Sequence, residues 1–449
     1  MSNSFEIEVQ EFLSKNADID TVDVIISDMN GIFRVKKTTL ESLEKLSKDK
    51  FFLSSSVSFL STTGDSLECT FRDLGADPDR LCRPVLGSLK RVPWQKHPTA
   101  QVQIYMCELD GSPWFAESRS LLKKQIDLLS KQGLTATAAY EYEFYLFEPS
   151  LSPPQVKHAP NGMPEAFGDN YLNADIQMDF DAVLQDIKKA CVVQDIPVDG
   201  IITECANGQF EVNLHHVSDP MSAADYALLL KRVIRNVAQQ HDMLASFMAK
   251  PLAGHTGSGM HLHLSLCDQG GQNIFADDEG DTLLRYGIGG LLDVMEDGLA
   301  LLAPNANSYR RFDPDMYVPM HKSWGLNNRR VAIRVPLSDT KNKRFEYRIA
   351  GADANPYHLM TIVLSGVMHG FNNKIQPIEA INEFDDVIER IPLPVRWFTA
   401  LEIYQRSEFM KEILGERFHE LYHRIRKQEE AETHQDFASL EYSKYLRIL

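Results

Sequence analysis

Several separate stretches of this chain set a face of apolar side chains against a face of ionisable ones. In "AYEYEFYLF", residues 139 to 147, a strand puts Tyr140, Tyr142 and Phe144 on one side and Glu141 and Glu143 together on the other. Like charges that close repel unless something positive lies between them. In "GIITECANGQFEVNLHH", residues 200 to 216, Asn207-Gly208 is a hairpin signal. A two-residue loop there pairs Ala206 with Gln209, Cys205 with Phe210 and Glu204 with Glu211, and again opposes two glutamates. "GMHLHLSL" alternates Met260, Leu262, Leu264 and Leu266 with His261, His263 and Ser265. "KRFEYRIAG" alternates Phe345, Tyr347 and Ile349 with Arg344, Glu346 and Arg348, and the nearby "NSYRRF" and "NNRRVAIRVP" add Arg310, Arg311, Arg329, Arg330 and Arg334. Singly, each reads as a solvated sheet face, an ordinary histidine pair or an ion-paired surface. Jointly, one cavity lined by all these faces explains them. Carboxylates with imidazole suit hard divalent cations such as Mg²⁺ or Mn²⁺. Adjacent arginines suit phosphate and carboxylate, and the combination points to phosphoryl transfer.

At 449 residues the chain is long for one core, so two or three domains are expected. The first hundred residues look strand-rich, with "TVDVIISDMNG" closed by an Asn-Gly turn and "QVQIYMCEL" alternating Val102, Ile104 and Met106 with polar neighbours. Beyond "DGSPWFAE" the pattern turns helical, with one helix ending at Gly133 and another opening at Ser222. A boundary near residue 112 divides 1–112 from 113–449. Residues 149 to 170 read as a long loop, and the tail after Ile391 as charged helix. A net charge of −17 argues against nucleic acid as a partner. No run of 18 apolar residues suggests a membrane span. Six scattered cysteines without a CxxC pair, behind an acidic N-terminus, favour reduced thiols and a cytoplasmic location. "HELYH", residues 419 to 423, matches a zinc-protease pattern. It sits in a densely charged segment where Glu441 would have to be the third ligand, so it reads as surface.

Taken in order, "EYEFYLF", "ECANGQFEVNL", "HTGSGMHLHLSL", "APNANSYRRF", "NNRRVAIRVP" and "RFEYRIAGADANPY" resemble the glutamine synthetase superfamily over nearly the whole chain. The resemblance implies an α+β fold: an N-terminal β-grasp domain and a catalytic domain with a curved antiparallel sheet flanked by helices. It also implies two stacked hexameric rings, a homododecamer with active sites between subunits. The family's first metal site falls on Glu143, Glu204 and Glu211, and the second on Glu141, His261 and Glu346, so two or more ions per site are expected. Glutamate would meet Gly257, Arg311, Arg329 and Arg348. ATP would meet Arg329, Arg334 and Arg344, with His263, Ser265 and Lys341 near the nucleotide, and Arg334 would offset charge during phosphoryl transfer.

The departures lie in the nucleophile pocket. Ammonia-using members carry a flap glutamate where this chain has Tyr317, and an aspartate where "FFLSSSVSF" has Ser54; Thr256 stands where asparagine is usual. Asp79 or Glu204 is left as the base for the incoming amine. The pattern is most similar to γ-glutamylputrescine synthetases, which implies an ATP-dependent ligase joining the glutamate γ-carboxylate to putrescine or a related polyamine. Ammonia, ethanolamine or an alkyl amine are the alternatives.

Overall fold

β-Branched and aromatic runs in the first hundred residues pair into a mixed sheet. Its strands are β1 (Thr21–Ser27), β2 (Phe33–Thr39), β3 (Phe52–Ser54), β4 (Asp79–Pro84), β5 (Lys90–Arg91) and β6 (Thr99–Cys107). The order is β2-β1-β6-β4-β3, with β5 on β6, and β1 runs parallel to β6. This computed structural model describes residues 2–66, 75–151, 154–159, 170–276, 280–381 and 390–433. Cys69, Glu441 and residues 152–153 and 160–169 of the expected loop lie outside them; Cys82, Cys107, Cys191 and Cys267 are free thiols.

The polar positions of β6 do not face water. Gln101 donates to the Gln194 side chain at 2.6 Å, and Gln103 to the Tyr357 hydroxyl at 2.7 Å. Elements from the later chain therefore cover the face that alternation alone assigns to solvent.

The second sheet carries the charged faces. Its strands are β7 (Thr135–Leu151), β8 (Pro154–Val156), β9 (Val198–Thr203), β10 (Gln209–Leu214), β11 (Leu244–Ser246), β12 (Met260–Cys267), β13 (Trp324–Leu326), β14 (Ile333–Val335) and β15 (Phe345–Tyr347). They order as β13-β14-β15-β12-β7-β10-β9, with β8 and β11 also on β7. Part of the expected loop after residue 149 is thus strand. Every pairing is antiparallel except β13 with β14.

Tyr140, Tyr142 and Phe144 are fully buried on the back of β7, and Tyr142 and Phe144 pack on Phe247 at 5.8 and 5.6 Å between ring centroids. Behind them runs helix Pro220–Gln240, which starts two residues before Ser222 because the Asp219 side chain accepts from Met221 and Ser222 N–H.

The hairpin register differs from the sequence expectation. Phe210 pairs with Thr203, and Glu204 N–H donates to the Gln209 carbonyl, so the connection is the four residues 205–208. Glu204 therefore lies opposite Gln209, whereas Glu211 lies opposite Glu143 on β7. The opposed carboxylates come from two different hairpins.

The "HELYH" segment is also corrected. Helix Glu416–Thr433 buries Phe418, Leu421, Tyr422 and Ile425, and with them His419 and His423. His419 stacks on Tyr404 and hydrogen-bonds its carbonyl at 2.7 Å. These histidines are core residues rather than surface. Among the described residues the clusters able to hold a metal lie on the second sheet, not here.

Glu117 joins the two sheets' elements. It precedes helix Ser118–Lys131, and its carboxyl accepts from Met106 N–H of β6 at 2.9 Å. Burial pushes this carboxyl up to about 7, against the pull of that N–H and of Arg119. The folded protein then holds a proton that the unfolded chain releases near pH 4.5, so this contribution to stability falls as pH rises from about 4.5 to 7. The span corresponds to on the order of 3 kcal/mol. Glu117→Gln keeps the acceptor without the charge. Thermal melts should show the variant matching wild type at about pH 4 and exceeding it at about pH 7.5.

Candidate active site

Strand pairing brings the charged faces into one concave surface. His261 lies opposite Glu141, His263 lies between Ala139 and Glu346, and Arg334 lies opposite Glu346. Gly259 sits next to Glu143, donating its N–H to the Glu143 side chain at 2.8 Å. The alternation of each strand thus becomes a contiguous patch across β14, β15, β12, β7 and β10.

His261 is the hub. Its Nδ1 is 3.6 Å from Glu141 and 3.7 Å from Glu346, and its Nε2 is 3.8 Å from Glu143. Buried Nδ1 has no hydrogen-bond partner. Ligand atoms of Glu141, Glu211 and His261 come within 4.8 Å of one another, as do those of Glu141, His263 and Glu346. A buried orphan nitrogen ringed by carboxylate oxygens fits a hard divalent cation, so the donor set accommodates the expected metals.

The grouping differs from the triads that the resemblance implies. Glu143 turns to Gly259 N–H, Glu211 accepts from the Asn213 amide at 2.9 Å, and Glu204 accepts from Cys205 N–H at 3.3 Å. Each carboxylate takes a nearby N–H donor while remaining close to its like-charged neighbours. His263 Nε2 hydrogen-bonds a Glu141 carboxylate oxygen at 2.9 Å, which puts it in the acidic cluster as well.

The electrostatics divide the site. Burial pushes Glu204 up to about 8, with Glu143 adding to the shift and Arg329 opposing it. Burial likewise raises Glu211, reinforced by Glu141 and Glu143. For Glu346 burial is outweighed by Arg348 and the two histidines, which hold it at about 2. Arg334 at 2.8 Å and Arg348 both grip that carboxylate. For Glu141, too, burial is outweighed, here chiefly by His263, and its carboxyl is held well below the usual range.

A cavity of about 340 Å³ opens beside the cluster, lined by Glu143, Glu204, Glu211, Gly257, Arg311, Arg329 and Arg348 among others. Arg311 is buried and donates to the carbonyls of Ile349 and Arg348. At Gly257 a Cβ would lie 2.6 Å from the Ala249 carbonyl, so only glycine fits there. Arg344 Nε approaches His263 Nδ1 at 3.3 Å. Ser265 lies two residues farther along β12, and Lys341 is exposed before β15. Asp79 is not in this group: it is exposed on β4, paired with Ser54.

Gln209 is a lining residue that sequence reading passed over. Its amide donates to the Gly257 carbonyl at 2.9 Å and its oxygen accepts from Thr256, fixing the glycine loop. The signal was present, since Gln209 shares the face of Glu211 at period two. Tyr171, Cys205, Met316 and Val318 also line the cavity and had no local signal.

Residues 115–445 match the family model of the glutamine synthetase catalytic domain. The chain belongs to the glutamine synthetase family. It is 39% identical over 437 residues to the γ-glutamylputrescine synthetase of Escherichia coli K12, spanning 95% of this chain and 92% of that one. It is 31% identical to a glutamate–isopropylamine ligase from a Pseudomonas species, over 99% and 98% of the two chains. A solved structure titled as a GmaS/ADP complex superposes with a TM-score of 0.86 at 22% identity, covering 98% and 99%, which establishes the shared α+β glutamine synthetase fold. Glutamine synthetase family members are ATP- and divalent-metal-dependent ligases that join glutamate to an amine.

A cation binding between Glu204 and its neighbours must displace their protons. Apparent Mg²⁺ affinity should therefore rise with pH through 7 and flatten above about 8, where Glu204 is ionised. Calorimetry in two buffers of different ionisation enthalpy reads the released protons, and Glu204→Gln should lower their number. Saturating Mg²⁺ should raise the melting temperature, by an amount equivalent to about 2.7 kcal/mol at a hundredfold excess over Kd. Glu143→Ala should lose most of that rise.

Proposed function

We propose that this chain joins the γ-carboxylate of L-glutamate to one amino group of putrescine or a related polyamine, with cleavage of ATP to ADP and phosphate. The observation that carries this reading is the joint one: an acidic and arginine-rich site of the family's pattern, with Tyr317 where ammonia-using members hold a carboxylate. The 39% identity to a γ-glutamylputrescine synthetase supports the amine class.

A carboxylate is a poor electrophile because its leaving group would be oxide. The glutamate side-chain oxygen attacks the γ-phosphorus and releases ADP. The amine nitrogen then attacks the γ-carbonyl carbon of γ-glutamyl phosphate, and phosphate leaves with the bridging oxygen. Glu141, Glu143, Glu204, Glu211, His261 and Glu346 would hold two divalent cations, most simply Mg²⁺ or Mn²⁺, which when bound neutralise phosphate charge. Arg311 and Gly257 orient glutamate beside Arg348. Arg334, Arg344 and Arg329 face the phosphates, with His263, Ser265 and Lys341 toward the nucleotide.

The nucleophile must arrive as a free amine, so a base takes its proton. Glu204 is suited, since a carboxyl raised to about 8 exchanges protons near neutral pH. Asp79 is the other candidate. It would serve a neighbouring subunit's cavity, because no residue of this chain's first sheet lines its own. That supports sites between subunits of a homododecamer of two stacked hexameric rings, and the division into a β-grasp domain at 1–112 and a catalytic domain at 113–449. Reduced thiols support a cytoplasmic location.

The test is coupled ATP hydrolysis with glutamate and a panel of ammonia, ethanolamine, isopropylamine, putrescine and spermidine. Putrescine or spermidine should exceed ammonia in kcat/KM by roughly tenfold or more, equivalent to about 1.4 kcal/mol. Ammonia outperforming every organic amine would overturn the reading.

A further inference from the structure

The cavity has a charged interior and an aromatic rim. Glu204 and Glu143 lie inside, and the half-buried Met316 and Val318 line the wall. Tyr171 and Tyr317 stand at the mouth, 41% and 72% exposed. Tyr317 is held at φ +37, a left-handed backbone that bulky residues rarely adopt unless their surroundings impose it. The residues just before it are anchored. The Asp313 carbonyl accepts from Met316 N–H at 3.1 Å, its side chain accepts from Asp315 N–H at 3.2 Å, and Lys250 anchors that side chain at 3.4 Å. The loop that carries Tyr317 is therefore tied down on its inner side while the phenol ring stays open to the cavity mouth.

We infer that Tyr317, with Tyr171, is a specificity-determining clamp for the far, unreacting ammonium of an α,ω-diamine. This rests on the ligase reading above and names the part of the amine that is recognised. A diamine is two cationic ends joined by methylenes. The end that reacts points inward, toward the γ-carboxylate that Arg311 and Gly257 orient, and Met316 and Val318 match the methylenes. The outer ammonium then meets the faces of two phenol rings, where a cation is attracted by the ring quadrupole without having to shed all its water. A carboxylate at position 317 would favour a small cation held deep in the site. A tyrosine rewards a cation carried several bonds farther out. Ammonia has neither methylenes nor a second charge and gains nothing from this wall.

The experiment compares putrescine with n-butylamine, which has the same carbon chain and no second ammonium. The quantity read is the ratio of their kcat/KM values in wild type, Tyr317→Phe and Tyr317→Leu, and in each of these with Tyr171→Leu. Tyr317→Phe, which keeps the ring, should hold the wild-type ratio. Tyr317→Leu, which keeps apolar bulk without a π face, should lower it by about two- to fivefold, as expected of an exposed cation–π contact. Adding Tyr171→Leu should lower it further. An unchanged ratio in Tyr317→Leu and in the double variant would overturn the clamp and leave the ligase reading intact. A wild-type enzyme that uses neither amine, yet forms product from glutamate and ammonia, would overturn both.

Discussion

Glu346 and the cations that hold it are the constraint around which the rest of the site is arranged. A fully buried carboxylate is tolerated only with close, hydrogen-bonded positive partners, and here Arg334 and Arg348 supply them from the adjoining strand and from the same strand's extension. His261 and His263 stand between Glu346 and Glu141 and face both carboxylates. Across the ladder Glu204 and Glu211 have no arginine hydrogen-bonded to them; Arg329 offsets only part of the cost at Glu204, and burial raises both. One end of the concave face therefore favours the ionised carboxylate, and at the other burial favours the protonated one. A site that must bind cations, phosphate and an amine in turn needs both.

The long β7 makes this possible by giving four strands a common edge or face. Its apolar side is sealed by helix Pro220–Gln240 and by Phe247, so the strand cannot turn over to expose its glutamates to bulk water. A slip of one residue would send Glu141 and Glu143 into that core. The glutamates' orientation is thus guaranteed by hydrophobic packing on the opposite side, and the electrostatic cost of their proximity is borne by the fold as a whole.

Contacts between distant parts of the chain hold the first sheet against the second. Arg426 of the late helix donates to the Asn30 side chain at 2.6 Å, Arg232 meets Asp23 at 2.8 Å, and Asn355 donates to the carbonyls of Asp28 and Met29. Gly31 suits this junction, because its φ of +69 strains other residues and a Cβ there would lie 3.2 Å from Asn355. These buried polar links fix how the first sheet presents its outer strands, on which Ser54 and Asp79 sit together.

Much of the site was legible as alternation, which is a local property: a strand's period of two assigns side chains to faces whatever its neighbours do. Glu141 with Glu143, His261 with His263 and Arg344 with Glu346 and Arg348 were all recognisable in this way, and so was Gln209 in principle. The hairpin register was not, because Asn207-Gly208 marks a turn without setting how many residues form it. Burial of His419 and His423 was obscured by the surrounding charge, although Phe418, Leu421, Tyr422 and Ile425 have helical spacing. The sequence by itself determined which side chains travel together on one face of each segment. Only the tertiary structure decided which faces meet, placing Glu211 against Glu143 and His263 between Glu141 and Glu346, because cross-strand register is set by long-range pairing and packing that no local pattern encodes.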